Sequence, residues 1–282
     1  MVQAPTLEEA RRSFAAELRV VANVSDPRVI EAFATVPRER FAGPGPWRIL
    51  HMFDGYWTTP DANPHWLYHN VLVALDESRG LNTGEPSLWA HHFARLGIRP
   101  GDRVLQVGTG SGYFTAILAE LAGPRGHVLG LEIDEALTSA AIQNLEAWPQ
   151  TSVRKVEGIV AVEDKWDVII AFAGATAPPA AWLDALADGG RALVPMTGSE
   201  RWGFMLRLDR RGAGILASSA GRVGCFPCAG ARDDGEAAAL SRSLADGPGQ
   251  RALKSLRRDR HDADDTCWLH GNGWCLSKRE LH

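Results

Sequence analysis

Apolar residues in the middle of the chain alternate between strand-length runs and helical patterns. Val104–Val107 is an apolar, partly β-branched run that breaks into three glycines before a helical pattern at Tyr113–Leu121. A second helix is predicted at Pro178–Ala187, with proline in its first turn and the pair Gly189-Gly190 as its stop signal. Further strands are predicted at Val128–Asp134, Ser152–Gly158, Trp166–Gly174 and Gly189–Met196. This alternation predicts an α/β fold with a doubly wound, mostly parallel sheet.

The chain divides into three predicted parts: an N-terminal region (1–85), a core (86–230) and a C-terminal extension (231–282). In the N-terminal region one helix is expected after Thr6, which forms a capping-box pattern with Glu9. A second is expected after Asp26 as cap, with Pro27 at the first helical position.

Beyond Met196 the pattern predicts further strands at Trp202–Leu208 and in the region Gly214–Cys225. The extension combines a helical stretch at Asp234–Arg258 with two short aromatic strands around Gly271–Gly273, which predict a β-hairpin. The chain therefore continues past the predicted core with a helix and a hairpin.

The segment His51–Asn70 is dense in aromatic and imidazole side chains. They are Phe53, Tyr56, Trp57, His65, Trp66, Tyr68 and His69. So long a loop in a compact domain is usually functional or disordered, and its aromatic content argues against disorder. We interpret it as a lid over an acceptor site. The alternative is that the aromatics simply pack against the side of the sheet.

The glycine loop predicts a nucleotide-like cofactor. Gly108, Gly110 and Gly112 allow a sharp turn and a close backbone approach to a ligand, and the next helix directs its free N–H groups there. Glu132 ends the following predicted strand, where a carboxylate can hold a ribose diol. A dinucleotide fingerprint would require glycine at the position of Tyr113, which disfavours that class of cofactor.

The form G-T-G-S-G-Y, followed by an acidic strand end, resembles motif I of class I S-adenosylmethionine (SAM)-dependent methyltransferases. The resemblance implies a Rossmann-like methyltransferase core and SAM as cofactor. It also places Glu157, in an acid–glycine pair after the next strand, where this class binds the adenine amine. The cofactor-binding residues expected from the strand ends and the resemblance are Gly108, Thr109, Gly110, Ser111, Gly112, Tyr113, Glu132, Ile133, Glu157, Gly158 and Ala171.

The flanking sequence is similar to protein-L-isoaspartate O-methyltransferases. The similarity rests on V-P-R-E-R-F at Val36–Phe41, on L-G-I-R-P-G-D-R-V-L-Q-V-G-T-G-S-G-Y from Leu96 onward, and on Val223–Cys228. It spans about residues 28 to 230. It implies a SAM-dependent enzyme of a family that esterifies the abnormal carboxylate of isoaspartyl residues.

The chain departs from that family at its substrate loop. The family sequence there is glycine-glutamine-threonine-isoleucine-serine-x-proline, whereas this chain has G-L-N-T-G-E-P, with Gly84 at the place of the active-site serine. Gln106 replaces the acidic residue usual at the start of motif I. Asn82, Thr83 and Ser87 are the candidate catalytic residues, acting through hydrogen bonds to the acceptor.

These features favour O-methylation of a carboxylate on a protein or peptide. An anionic carboxylate needs no general base, in agreement with the lack of an evident catalytic dyad. One alternative is a small-molecule O- or N-methyltransferase, for which His65 or His69 could act as base. The other is a non-catalytic SAM-binding interaction protein, in which the change at Gly84 has removed the chemistry.

Composition excludes other classes of protein. The 282 residues are 45% hydrophobic and 23% charged, as in ordinary soluble enzymes, and the net charge of −4 argues against nucleic acid as a partner. The polar start at Met1–Arg12 predicts no signal peptide, and the apolar runs are too short to span a membrane. A cytoplasmic protein is expected, and the sequence leaves its oligomeric state open.

The cysteines and histidines raise the question of a metal site. Cys225 and Cys228 have zinc-ligand spacing, and four further candidates lie in the extension. These are His261, Cys267, His270 and Cys275. The first pair falls where the resemblance places an ordinary strand, and Cys267 and Cys275 lie on opposite arms of the predicted hairpin. The sequence interpretation is that no metal is bound.

Overall fold

The computed structural model describes residues 5–51 and 53–281, so Met1–Ala4, Met52 and His282 lie outside the described residues. The helices are α1 (Leu7–Val21), α2 (Pro27–Thr35), α3 (Pro86–Leu96), α4 (Tyr113–Ala122), α5 (Glu135–Asn144), α6 (Ala180–Ala185) and α7 (Asp234–Ala245). The strands are β1 (Arg48–His51), β2 (Gly55–Thr58), β3 (Ala74–Asp76), β4 (Leu81–Asn82), β5 (Arg103–Val107), β6 (His127–Glu132), β7 (Thr151–Lys155), β8 (Trp166–Ala171), β9 (Leu186–Thr197), β10 (Trp202–Arg211), β11 (Gly214–Gly224), β12 (Ser255–Arg257), β13 (Cys267–Gly271) and β14 (Trp274–Ser277).

The chain forms two compact units. The first comprises the chain up to Gly101 together with Thr109–Arg154, and the second comprises Asp102–Gly108 together with the chain from Lys155 onward. The first unit contains helices α1 to α5. Its interior is aromatic, since Phe14, Phe33, Phe93 and Phe114 are all buried and contact one another edge-on or tilted. Such pairs add to the apolar area that they bury.

Both N-terminal helices begin at the predicted caps. The Thr6 hydroxyl accepts a hydrogen bond from the Glu9 N–H at 3.2 Å, and the Glu9 carboxylate accepts one from the Thr6 N–H at 2.7 Å. The Asp26 carboxylate accepts from the Arg28 N–H at 2.9 Å, with Pro27 in the first turn. These side chains satisfy N–H groups that a helix start leaves without a partner.

The second unit is built on a sheet with the strand order β13-β14-β12-β11-β10-β9-β8-β5. Strands β5, β8 and β9 are parallel, with Val104 opposite Val168 and Val107 opposite Ala171. From β9 onward the neighbours are antiparallel. In the first unit, β6 and β7 are neighbouring strands. The parallel strands coincide with the apolar runs predicted at Val104–Val107 and Trp166–Gly174, so the predicted α/β core is confirmed.

The prediction that Gly189-Gly190 stops a helix is wrong. Helix α6 already ends at Ala185, and β9 begins at Leu186 and runs through both glycines. Between the pairings Trp166–Leu186 and Val168–Arg191 the register advances two residues on β8 but five on β9. The glycines therefore belong to a bulge, where a positive φ and a close backbone approach are the rule.

The helical stretch predicted at Asp234–Arg258 is also too long. Helix α7 ends at Ala245, and Gly247 follows with φ +112, ahead of Pro248. Chain from Ser255 then forms strand β12. Glycine in this conformation next to proline ends a helix, so the charged composition of the segment misled the prediction. None of the helices among the described residues has the length and apolar character needed to cross a bilayer.

Candidate active site

The glycine loop after β5 adopts a backbone that only glycine takes readily. Gly108, Gly110 and Gly112 have φ values of +85°, +57° and +96°. Among the described residues, a Cβ at Gly110 would have one neighbour within 4 Å, Leu75 Cδ1 at 3.6 Å, whereas one at Gly112 would lie 3.2 Å from the Leu145 side chain. Gly112 is thus required by packing, and Gly110 leaves its backbone open to a ligand.

Helix α4 starts directly from this loop. Its N-cap is Gly112, which provides no side-chain cap for the first-turn N–H groups. The side chain of Tyr113 is buried against Phe33, Phe41 and Phe114 at ring distances of 6.2, 5.8 and 5.1 Å. Burial raises the pKa of the Tyr113 hydroxyl above its ordinary value. The N-terminus of α4, with the positive end of its dipole, therefore lies at the glycine loop, and the Tyr113 ring is packed in the core.

Glu132 closes the loop from the end of β6. Its carboxylate is 7% exposed and accepts hydrogen bonds through both oxygens. Oε2 accepts from the Gly110 N–H at 2.7 Å, and Oε1 accepts from the N–H groups of Ile133 and Asp134 at 2.9 and 3.1 Å. Hydrogen bonds to a carboxylate are among the stronger kinds, so Glu132 fixes the position of Gly110. Beside it, the Ile133 side chain is 50% exposed.

Thr109 and Ser111 complete the loop. The Thr109 hydroxyl is buried and has no hydrogen-bond partner among the described residues. A Cβ at Gly130 would overlap that hydroxyl, so a glycine in β6 makes room for it. The Ser111 carbonyl accepts from Asn144 Nδ2 at 3.0 Å, which ties the loop to α5.

Arg79 makes two ion pairs that the sequence did not predict. It lies in a short 3-10 turn after β3 and pairs with Asp76 at 2.5 Å and with Asp134 at 2.6 Å. Asp134 also caps α5 through the Leu137 N–H, and that hydrogen bond, with the Arg79 guanidinium, lowers the pKa of its carboxyl group. The pairing links the segment before α3 to the start of α5 across 55 residues of sequence, a distance at which no local pattern gives a signal.

The expected cofactor residues of the second unit lie at strand ends. Ala171 is buried at the last position of β8, and a Cβ at Gly108 would lie 3.4 Å from Phe172 Cβ. Glu157 is exposed and lies two residues beyond the end of β7. Gly158 follows with φ +84. Gln106 is buried, and its Nε2 donates to the Gly108 carbonyl at 3.4 Å.

Gly84 occupies a restricted position in the substrate loop. Its φ is +78, and a Cβ there would lie 2.9 Å from Trp89 Nε1 and 3.1 Å from Phe114 Cε2. Its N–H donates to Asn82 Oδ1 at 2.9 Å. Both the backbone conformation and the tight contact disfavour any side chain here.

The three candidate catalytic side chains all hold this loop in place. Asn82 binds the Gly84 N–H, as above, and donates to the Tyr56 hydroxyl at 3.3 Å. The Thr83 hydroxyl accepts from the Val73 N–H at 3.2 Å. The Ser87 hydroxyl donates to Glu85 at 2.8 Å and accepts from Asn70 at 2.9 Å. These hydrogen bonds are structural, and they leave an acceptor role for the side chains as a prediction.

Arg38, from the V-P-R-E-R-F motif, is a second residue whose role the sequence did not indicate. It is 1% exposed and donates to the carbonyls of Leu67, His69 and Val71 at 2.7, 2.9 and 2.5 Å. It also donates to the Thr83 hydroxyl at 3.4 Å. Burial lowers the pKa of its guanidinium group. One buried cation thus connects the end of the predicted lid to the substrate loop.

A sequence model of the protein-L-isoaspartate(D-aspartate) O-methyltransferase family matches residues 59–228, which is more than half of the chain. The chain belongs to this family. It is therefore a SAM-dependent methyltransferase, as the glycine loop and the resemblance predicted. The match lies within the span of about residues 28 to 230 expected from the motifs.

Curated members of the family are similar in sequence. The protein-L-isoaspartate O-methyltransferase of Ignicoccus hospitalis is 32% identical over 194 residues, covering 67% of this chain and 83% of that protein. Protein-L-isoaspartate O-methyltransferase 2 of an Anaeromyxobacter species is 30% identical over 194 residues, covering 67% and 71%. A Plasmodium falciparum structure, described as a protein-L-isoaspartate O-methyltransferase in complex with S-adenosyl-L-homocysteine, has the same fold. Its TM-score is 0.62 at 18% identity, and 78% of this chain and 98% of that one are covered.

In this methyltransferase the aromatic segment His51–Asn70 is only partly packed. Leu67 and Tyr68 are buried, whereas Phe53 and Trp57 are 85% and 38% exposed. His65 lies within hydrogen-bond distance of the Pro5 carbonyl and Asn63, at 2.8 and 2.7 Å, which occupies both ring nitrogens. His65 is thus poorly placed as a general base. The lid interpretation stays a prediction, and Met52 within it lies outside the described residues.

Proposed function

We propose that this methyltransferase esterifies a carboxylate of a protein or peptide other than the isoaspartyl carboxylate. The observation that supports the proposal is the environment of Gly84. Serine there would need a positive φ, at a cost of about 1–2 kcal/mol, and its Cβ would press on the Trp89 ring. The nearest hydroxyls, those of Thr83 and Ser87, are already engaged within the loop.

The residues present suit SAM. Gly110 has open space on its Cβ side, and α4 begins at the glycine loop with the positive end of its dipole. Glu132 would accept a hydrogen bond from a ribose hydroxyl through Oε2, which keeps a second lone pair beside the one that accepts from the Gly110 N–H. Ile133 would provide apolar contact area for the adenine, and Glu157 would accept from its amine. When bound, SAM supplies an electrophilic methyl group.

The reaction requires neither a general acid nor a general base from the protein. A carboxylate oxygen forms a bond to the methyl carbon as the bond from that carbon to sulfur breaks, and sulfur keeps the electron pair. The products are a methyl ester and S-adenosylhomocysteine, and no proton is transferred. The protein then acts by holding the acceptor in line with the methyl group and by excluding water. The loop fixed by Arg38 and Asn82 is the proposed positioning element.

The test is an acceptor screen with methyl-labelled SAM. An isoaspartyl peptide, its aspartyl twin and a set of peptides with other carboxylates are compared with a substrate-free control. We expect the isoaspartyl peptide to be labelled no faster than its twin, and a different carboxylate peptide to be labelled well. Strong, base-labile labelling of the isoaspartyl peptide alone would overturn the proposal and assign the missing contact to Thr83 or Ser87.

The variant Gly84→Ser tests whether the backbone conformation of Gly84 and its contact with Trp89 disfavour a serine at this position. We expect it to leave isoaspartyl labelling unchanged and to lower the midpoint of urea unfolding. The matched control is Gly43→Ser, because Gly43 also has a positive φ, +68, but nothing lies within 4 Å of its Cβ position. Gly43→Ser measures the backbone cost alone, so the extra loss in Gly84→Ser measures the contact with Trp89. Isoaspartyl labelling gained by Gly84→Ser would contradict this account.

A further inference from the structure

The C-terminal extension brings together four side chains that the sequence interpretation kept apart. They are His261, Cys267, His270 and Cys275, spaced as H-x5-C-x2-H-x4-C. Cys267 and Cys275 do lie on opposite arms of the hairpin, but residues on opposite arms can be cross-strand neighbours, so this placement does not keep their side chains apart. His270 is paired directly with Cys275 in the β13–β14 ladder.

A β-bulge brings Cys267 to the same face. In a regular strand, residues three positions apart point to opposite faces of the sheet, as Cys267 and His270 would. The register of β13 shifts between Cys267, which faces Ser277, and Leu269, which faces Leu276. The extra residue, Trp268, reverses the alternation, so Cys267 and His270 converge. Bulges often re-aim a side chain toward a functional site in this way.

The four donor atoms are as compact as a metal requires. One ligand atom from each residue lies within 4.8 Å of all the others. Cys267 Sγ is 3.5 Å from His261 Nε2 and 3.8 Å from His270 Nδ1. Ligands at about 2.0–2.3 Å around a tetrahedral zinc ion are separated by about 3.3–3.8 Å from one another. The two separations measured from Cys267 Sγ fall in that range.

Hydrogen bonds around the cluster orient the ligands as in zinc sites. His261 Nδ1 lies 2.9 Å from the Asp259 carbonyl, so its Nδ1–H donates there and the Nε2 lone pair faces Cys267. A second-sphere carbonyl of this kind is the usual partner of a metal-bound histidine. The Asp264 N–H donates to Cys267 Sγ at 3.4 Å, which holds the sulfur in place. Cys275 is fully buried, whereas His270 is exposed, so the cluster opens to solvent on one side.

We propose that His261, Cys267, His270 and Cys275 bind one zinc ion in a tetrahedral site. Two thiolates and two imidazoles form the S2N2 set that selects zinc, and two thiolates balance its charge. With four protein ligands the site is closed, so the ion is structural. It fastens the loop that carries His261 to the β13–β14 hairpin at the edge of the second unit's sheet.

The experiment measures metal content on the full-length chain, purified anaerobically with a histidine-free tag. After dialysis, mass spectrometry of the metals should find about one zinc per chain. Cys275→Ser and His270→Ala should lose most of it. The matched controls, Cys225→Ser and His127→Ala, lie outside the cluster and should keep it. Circular dichroism confirms that each variant is folded.

Cobalt substitution of the wild-type protein gives a readout that does not depend on any variant. Cobalt(II) in this site should show intense visible bands of tetrahedral geometry together with thiolate charge transfer, and zinc should displace both. A metal-free protein with four free thiols would overturn the proposal. So would a Cys267–Cys275 disulfide in non-reduced peptides, or zinc that persists in both cluster variants.

Discussion

The carboxylate of Glu132 fixes the backbone of the glycine loop through the Gly110 N–H. Both of its oxygens accept backbone N–H groups, so an amide at this position must turn its NH2 group toward a donor. We expect Glu132→Gln to bind SAM at least tenfold more weakly, because hydrogen bonds to a charged group contribute about 1.5–3 kcal/mol each. Calorimetric titration of SAM measures the affinity.

The control for this variant is Glu146→Ala, which removes an exposed carboxylate and should bind SAM as the wild type does. Gly110→Val should abolish binding by covering the open backbone at φ +57 with a branched side chain. If Glu132→Gln or Gly110→Val bound SAM with unchanged affinity, the loop would not be the cofactor site.

At single positions, the sequence predicted those residue roles that depend only on the local backbone. Three glycines before a helix and an acid at a strand end are patterns within one loop, and the structure places both as expected. The close approach of Phe114 to Gly84 and the hydrogen bonds of Arg38 to the carbonyls of 67–71 depend on packing. No window of sequence contains both members of such pairs, so these roles could not be predicted from the pattern alone.

The sequence predicted which helices and strands are present better than it predicted where each one begins and ends. Strands β5, β6 and β8 were located within about three residues, because a buried strand is an uninterrupted apolar run. Helix α7 and strand β9 were misjudged where glycines lie inside or just after an element. Glycine marks a bulge, a cap or a turn equally well, and the register that decides between them comes from a neighbouring strand.

The hairpin β1–β2 is the element on which the lid prediction depends. Trp57 lies on it, is 38% exposed and contacts Trp66 edge-on at 6.2 Å. If the hairpin covers the acceptor, Trp57→Ala should lower turnover at least tenfold while leaving SAM affinity unchanged. SAM should also protect residues 53–58 from proteolysis. The control is Trp202→Ala, since Trp202 is an exposed tryptophan of the second unit. Full activity in Trp57→Ala, with equal cleavage with and without SAM, would assign these aromatics to packing alone.

For the whole molecule, the sequence predicted the fold class but not how the chain divides into compact units. The predicted three-part division is linear, whereas the contacts group Asp102–Gly108 with the chain from Lys155 onward, and Thr109–Arg154 with the chain up to Gly101. The chain changes unit within the glycine loop itself, between Gly108 and Thr109. Sequence patterns are read along the chain, so an exchange of this kind has no linear signal.

Stability of the protein should depend on pH through His92. This residue of α3 is 2% exposed, and burial, with charge on His91 and Arg95, lowers the pKa of its imidazole to about 4. Below about pH 6.5 His92 becomes protonated in the unfolded chain but stays neutral in the folded protein. The free energy of unfolding therefore decreases as the pH drops from about 6.5 to about 4. The loss is on the order of 3 kcal/mol.

His92→Leu should remove this loss, because leucine fills a similar volume and binds no proton. Urea unfolding at about pH 7.5 and about pH 4.5 measures the difference, and the variant should lose less stability than the wild type between the two. His69→Leu, at an exposed histidine, is the matched control and should keep the wild-type dependence. If wild type and His92→Leu lost stability in parallel, His92 would have to accept its proton within the folded protein, and its burial would not hold it neutral.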